Sequence, residues 1–258
     1  MKFRLRHLFL TLFLLFAALP APGQGKVYTR KLRLADFPAR TTKVVLGGNP
    51  FLELTLREAV AVHWRISPYE FCTPEEYGRL ASSSSYYFLT LAQDRGILFL
   101  ILSKGGKEGE KDQLKQTFEV VRIPISGADD PGGRELVLMG AFLDIIQNFV
   151  EQAMISDRTA YAGLPALDGA SLRGKTVLLD PDAADAAVLA QRKDAVAALC
   201  VAPADGGGDR FCYKMLISAD THELLLFEKR RYRTPDDARF SEDEIRRIGR
   251  RGAVVVRD

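Results

Sequence analysis

Apolar positions along the chain change period several times, and the changes mark its elements. A short strand is predicted over 42–46, followed by the break Gly47-Gly48-Asn49-Pro50. Apolar residues then fall at Leu54, Leu56, Ala59, Val60, Val62 and Trp64, a spacing that predicts a helix with one buried face. A brief strand over 69–72 leads to Thr73-Pro74-Glu75-Glu76, a helix start. There the Thr hydroxyl accepts a backbone N–H, Pro suits the first turn and Glu76 can reach back. Two apolar runs, 86–91 and 97–102, flank the turn residues Gln93-Asp94-Arg95-Gly96 and predict a hairpin. A charged loop over 104–115, a strand over 117–125 and a Gly-rich loop over 126–134 follow. The longest predicted helix spans 135–155, with a stripe of Leu136, Met139, Leu143, Ile146, Phe149, Val150 and Ala153 and one internal glycine, Gly140.

The small, polar segment 157–174 is the one candidate boundary within an otherwise single domain over 24–258. Strand signals recur at 175–179, 196–201, 211–218 and 223–227, with a short Ala-rich helix expected over 185–191. Ser241-Glu242-Asp243-Glu244 opens a last helix through a second capping box, and 253–256 closes the chain as a strand. No repeat of fixed period occurs. Strands interspersed with helices predict an α/β chain of the α+β type, with a mixed, largely antiparallel sheet and helices packed on it.

The start of the chain has a different pattern. Lys2, Arg4, Arg6 and His7 precede an apolar run over 8–19, and Pro20, Ala21, Pro22 and Gly23 follow. A basic start, a short apolar run and small residues before a cut at Gln24 predict a signal peptide over 1–23. The run is shorter than the ~20 residues of a membrane span. Localisation is therefore expected to be periplasmic or secreted, with no membrane span after cleavage. Lys2, Arg4 and Arg6 account for the whole formal net charge of +3, so the mature chain is formally neutral. That balance gives no support to nucleic-acid binding. An apolar content of 47% is enough for a core without disulfides.

Three cysteines, Cys72, Cys200 and Cys212, enter a compartment that permits disulfides. A hairpin loop symmetric about Gly206 would set Cys200 opposite Cys212. Opposed antiparallel residues lie ~4.5–5.5 Å apart at Cα, within the ~4.4–6.8 Å of a disulfide. A Cys200–Cys212 bridge is one expectation; two buried thiols or a Cys72–Cys212 bridge are the others.

Candidate chemistry is sparse. The mature chain has two histidines. His63 sits in the first amphipathic helix with no evident partner. His222 lies in Asp220-Thr221-His222-Glu223, where Asp220 is either a nearby carboxylate or ordinary turn chemistry. His222-Glu223 begins like a metalloprotease motif, but the second histidine position holds Leu226. No dinucleotide fingerprint, phosphate loop, nucleophile elbow or metal-ligand spacing is present, so no cofactor and no metal are assigned. Trp64, Tyr69, Tyr86, Tyr87 and Tyr213 are read as core or as a ligand surface. Between 229 and 251 nine cations stand against five acids, a solvated face or a contact for an acidic partner.

Three segments carry a resemblance. They are Trp64-Arg65-Ile66-Ser67-Pro68-Tyr69-Glu70-Phe71-Cys72, Ser85-Tyr86-Tyr87-Phe88-Leu89, and Cys212-Tyr213-Lys214-Met215-Leu216 with Thr221-His222-Glu223-Leu224. Together they resemble a family of exported proteins of Bacteroidetes-type bacteria with no assigned function, which implies a Gram-negative envelope setting. The leading expectation is a soluble envelope protein with a binding or accessory role. The alternatives are a hydrolase whose site, drawing on His222, Asp220 or His63, assembles only in the tertiary fold, and a structural component of an envelope assembly.

Overall fold

The computed structural model describes residues 34–106, 117–128, 133–164, 172–179, 191–204 and 209–255. The leader over 1–23, the Ala-rich segment 185–190 and the loop residues Gly206 to Gly208 lie outside the described residues.

Ten strands form two mixed five-stranded sheets, with six α-helices among the described residues. The first sheet contains β1 (Thr41–Val45), β2 (Tyr69–Cys72), β3 (Tyr86–Asp94), β4 (Ile97–Lys104) and β5 (Phe118–Gly127), in the order β2-β1-β3-β4-β5. The second contains β6 (Thr176–Leu179), β7 (Ala195–Val201), β8 (Phe211–Ser218), β9 (Leu224–Arg231) and β10 (Ala253–Val255), in the order β10-β6-β7-β8-β9. The expected α+β class is what the chain adopts. Each sheet pairs its first three strands in parallel and continues through two antiparallel ladders. Antiparallel neighbours can be joined by local turns that leave a sequence signature, as between β3 and β4. Parallel neighbours require crossovers, which leave none.

Helix α1 (Pro50–His63) joins β1 to β2, and Asn49 caps it by accepting the N–H groups of Phe51 and Leu52. Its buried residues are Leu56 and Val60, whereas Leu54 and Val62 face outward. Helix α2 (Pro74–Leu80) starts at Thr73, as the sequence suggested, but Glu76 reaches Lys43 of β1 at 3.1 Å instead of its own cap. Arg95 and Gly96 both have positive φ, which fits the two-residue turn between β3 and β4.

The long predicted helix is broken at Leu138 into α3 (Arg134–Val137) and α4 (Met139–Ile155), with α5 (Asp157–Ala162) after it. Helix α4 is buried on nearly every side. It packs on α1 and β5, and its apolar residues share one core with the inner faces of both sheets. Phe99 of β4 meets Tyr213 of β8 edge-on across that core. The outer face of the second sheet is covered by α6 (Glu242–Gly249), with Phe240 and Ile248 over Ala198, Cys200 and Leu216.

The proposed Cys200–Cys212 bridge is corrected by the β7–β8 register. Cys200 stands opposite Lys214, so Cys212 is displaced by two residues along the same face. Diagonal neighbours of this kind lie ~7–8 Å apart, too far for a sulfur–sulfur bond. No disulfide forms, and all three cysteines are buried thiols. Burial pushes the Cys72 thiol up to about 11 and raises Cys212 as well.

Candidate functional site

Two polar residues interrupt the apolar surface of α4. Asp144 and Gln147 are three positions apart and therefore lie on one helix face, beside Gly140 one turn earlier. That face meets the C-terminal end of α1. Gln147 is fully buried and acts as a clamp. Its Oε1 accepts the N–H groups of Arg65 (2.8 Å) and Ile66 (3.2 Å), and its Nε2 donates to the His63 carbonyl (2.9 Å) and to Asp144 Oδ1 (3.2 Å). The end of α1 is thereby fixed against the middle of the core, and His63 is fixed with it.

Gly140 is needed for close approach. A Cβ at that position would lie 2.4 Å from His63 Nε2. The third component comes from the second sheet. After β8 the chain passes through the loop 219–223, where His222 takes φ of 54° and donates its backbone N–H to the Ser218 carbonyl. Positive φ is uncommon outside glycine, although His tolerates it better than most residues.

These placements converge on Asp144. His222 Nδ1 lies 2.7 Å from its Oδ2, and His63 Nδ1 lies 3.1 Å from the same oxygen. The imidazole centroids are 5.7 Å apart. Arg65 Nη1 donates to Oδ1 at 2.8 Å. Burial pushes the Asp144 carboxyl up, but hydrogen bonds from His222, Arg65 and His63 outweigh it and hold the group below its ordinary range. An ionised carboxylate only accepts, so both rings present Nδ1–H to it.

Both imidazoles, each about a quarter exposed, line a cavity of about 190 Å³. The rest of its wall is mostly apolar, with Leu138, Ala141, Ala197 and Ile217. A larger cavity of about 310 Å³ opens near β4, β5, β8 and β9, and both of its carboxylates, Asp94 and Glu119, are taken up by Arg122. There Arg122 is held by Glu119 and Asp94, and Lys229 stacks on Phe211 at 4.1 Å. The smaller cavity is the one that brings both histidines of the mature chain to its wall.

Of the residues singled out from sequence, His63 and His222 are brought together. Asp220 is exposed and is not the partner of His222; that carboxylate belongs to Asp144 on another element. The turn is also longer than a tight one: Ile217 stands opposite Leu224, beside a bulge at Leu216/Ile217. Tyr87, Tyr213 and Trp64 are core. In the basic C-terminal region, Arg230 pairs with Glu228 and Glu244, and Arg246 with Asp243. Sequence reasoning missed Asp144, Gln147 and Arg65. The available signal was a carboxylate and an amide within the apolar run 141–150 of the helix, since buried polar groups require partners.

No family model, curated protein or solved structure matches this chain.

Proposed function

We propose that this chain is an exported hydrolase of the bacterial envelope, with the His63–Asp144–His222 cavity as its active site. The observation that carries the reading is the sharing of one Asp144 oxygen by two imidazoles at the wall of a cavity. A carboxylate that fixes imidazoles through Nδ1 at a cavity wall is an arrangement that hydrolytic sites use to activate water, by a base or by a bound ion. An apolar wall and a volume of about 190 Å³ suit a small acyl or ester group better than a large polar ligand. Export rests on the leader over 1–23. Among the described residues no helix is long and apolar enough to cross a membrane.

The test is hydrolysis of p-nitrophenyl acetate, p-nitrophenyl phosphate and an anilide by the processed protein. Turnover of at least one, reduced about 100-fold or more in His222→Gln and Asp144→Asn, is expected. Equal rates in wild type and both variants, or no turnover of any probe, would overturn the reading in favour of a binding role.

A further inference from the structure

We propose that His63, Asp144 and His222 are the protein ligands of one divalent transition-metal ion of the zinc class. The inference deepens the hydrolase reading, because it takes the same cavity as the working site and names what would activate water there.

The donor set comes first. Two neutral imidazoles and one carboxylate suit zinc and its neighbours, whereas calcium and magnesium select oxygen donors. One donor atom from each residue lies within 4.8 Å of the other two. An ion bound at ~2.0–2.2 Å sets adjacent donors roughly 3.0–3.4 Å apart, for octahedral or tetrahedral angles. The two edges meeting at Asp144 Oδ2 are 2.7 and 3.1 Å. Small shifts of the rings therefore admit an ion between the same three atoms. Each ring proton then moves from Nδ1 to Nε2, a change of tautomer that removes no proton from the neutral ring.

The surroundings are those of a ligand set and exceed what a buried ion pair requires. Asp144 Oδ1 is occupied by Arg65 Nη1 and Gln147 Nε2, which leaves Oδ2 aimed at the imidazoles. Ligating carboxylates are held by outer partners in this way. His63 is immobilised from behind by Gln147 through its carbonyl, and its ring fits only because position 140 lacks a Cβ. His222 is presented from a left-handed backbone conformation. The ligands come from α1, α4 and the β8–β9 loop, so an ion would tie both halves of the fold to the central helix. Three protein ligands leave at least one coordination position for water or substrate, and the histidines line the cavity from which either would enter.

The experiment is calorimetric titration of chelator-treated, processed protein with Zn²⁺, alongside His63→Ala, His222→Gln and Asp144→Asn. The triple variant Cys72→Ser, Cys200→Ser, Cys212→Ser controls for thiolate binding. One ion per chain is expected, retained in the cysteine variant and weakened more than about 100-fold in each ligand variant. Should the ligand variants not fold, Co²⁺ added to wild type decides. Visible d–d bands without thiolate charge transfer are expected. Absent binding, binding unchanged in folded ligand variants, or thiolate bands would overturn the proposal. Zinc binding without hydrolysis would remove the hydrolase reading and leave the metal. Hydrolysis by protein that binds no ion would do the reverse.

Discussion

Asp144 and Glu244 are both carboxylates held inside the fold by nitrogen donors, and they differ in what their partners can do. Glu244 lies behind the second sheet and receives Lys214 Nζ at 2.9 Å and Arg230 Nη2 at 2.9 Å. The Lys214 side chain is 1% exposed. The partners of Glu244 are a lysine and an arginine, permanent cations near neutral pH, and the same carboxylate closes the capping box at Ser241. Asp144 instead has two imidazoles, which can change tautomer and ligate, and they stand at a cavity wall. Burial of a charged pair therefore does not itself mark function. The mark is a carboxylate whose outer oxygen is fixed and whose inner oxygen meets adaptable, accessible donors.

The largest expected effects separate the two sites completely. Lys214→Met leaves Glu244 buried with Arg230 alone and should cost about 3 kcal/mol of stability, near the lower end for a broken buried pair. Urea unfolding would measure it, with Zn²⁺ affinity unchanged. Asp144→Asn should do the opposite, removing ion binding with a much smaller change in unfolding midpoint. The pH dependence sharpens this further. Burial raises the Glu244 carboxyl, but Lys214 and Ser241 outweigh it and leave the group below its ordinary value. A depressed folded-state value contributes stability above the unfolded value of ~4.3 that is lost as pH falls through the folded one. The gap between wild type and Lys214→Met should therefore narrow as urea midpoints are followed from about pH 7 to about pH 3.

A smaller effect is expected at Gly140→Ala. The new methyl must displace the His63 ring and should cost about 1–3 kcal/mol, with ion affinity falling in parallel. At His222, both alanine and glycine remove the ligand. Only glycine relieves the positive φ, so His222→Gly should be more stable than His222→Ala by roughly 1 kcal/mol in thermal melts. The smallest effect concerns the cysteines. Burial and raised pKa values disfavour the reactive thiolates of Cys72 and Cys212. A thiol reagent should titrate all three cysteines in urea and react slowly with the native protein.

Much of the fold was legible because its signals are local. Thr73 and Ser241 announce helix starts through side chains that satisfy nearby N–H groups, and the turn residues Gln93-Asp94-Arg95-Gly96 announce a hairpin. The register of β7 on β8 was not legible, because it depends on loop residues 203–209 and on which face the tertiary core requires. The parallel order β2-β1-β3 was hidden for a related reason, since its crossovers can be read in several ways. The site was half legible. His63 and His222 stood out by rarity, but Asp144 is 81 positions from one and 78 from the other. A cluster drawn from α1, α4 and the β8–β9 loop has no spacing to read. A buried Asp within Phe142-Leu143-Asp144-Ile145-Ile146 is the trace it leaves.

The most direct test of the metal-centred account is anomalous diffraction at the zinc edge from crystals of the processed protein grown with Zn²⁺. One strong peak is expected within ~2.0–2.2 Å of Asp144 Oδ2 and a nitrogen of each imidazole. A peak at the cysteines, or none between His63 and His222, would contradict it.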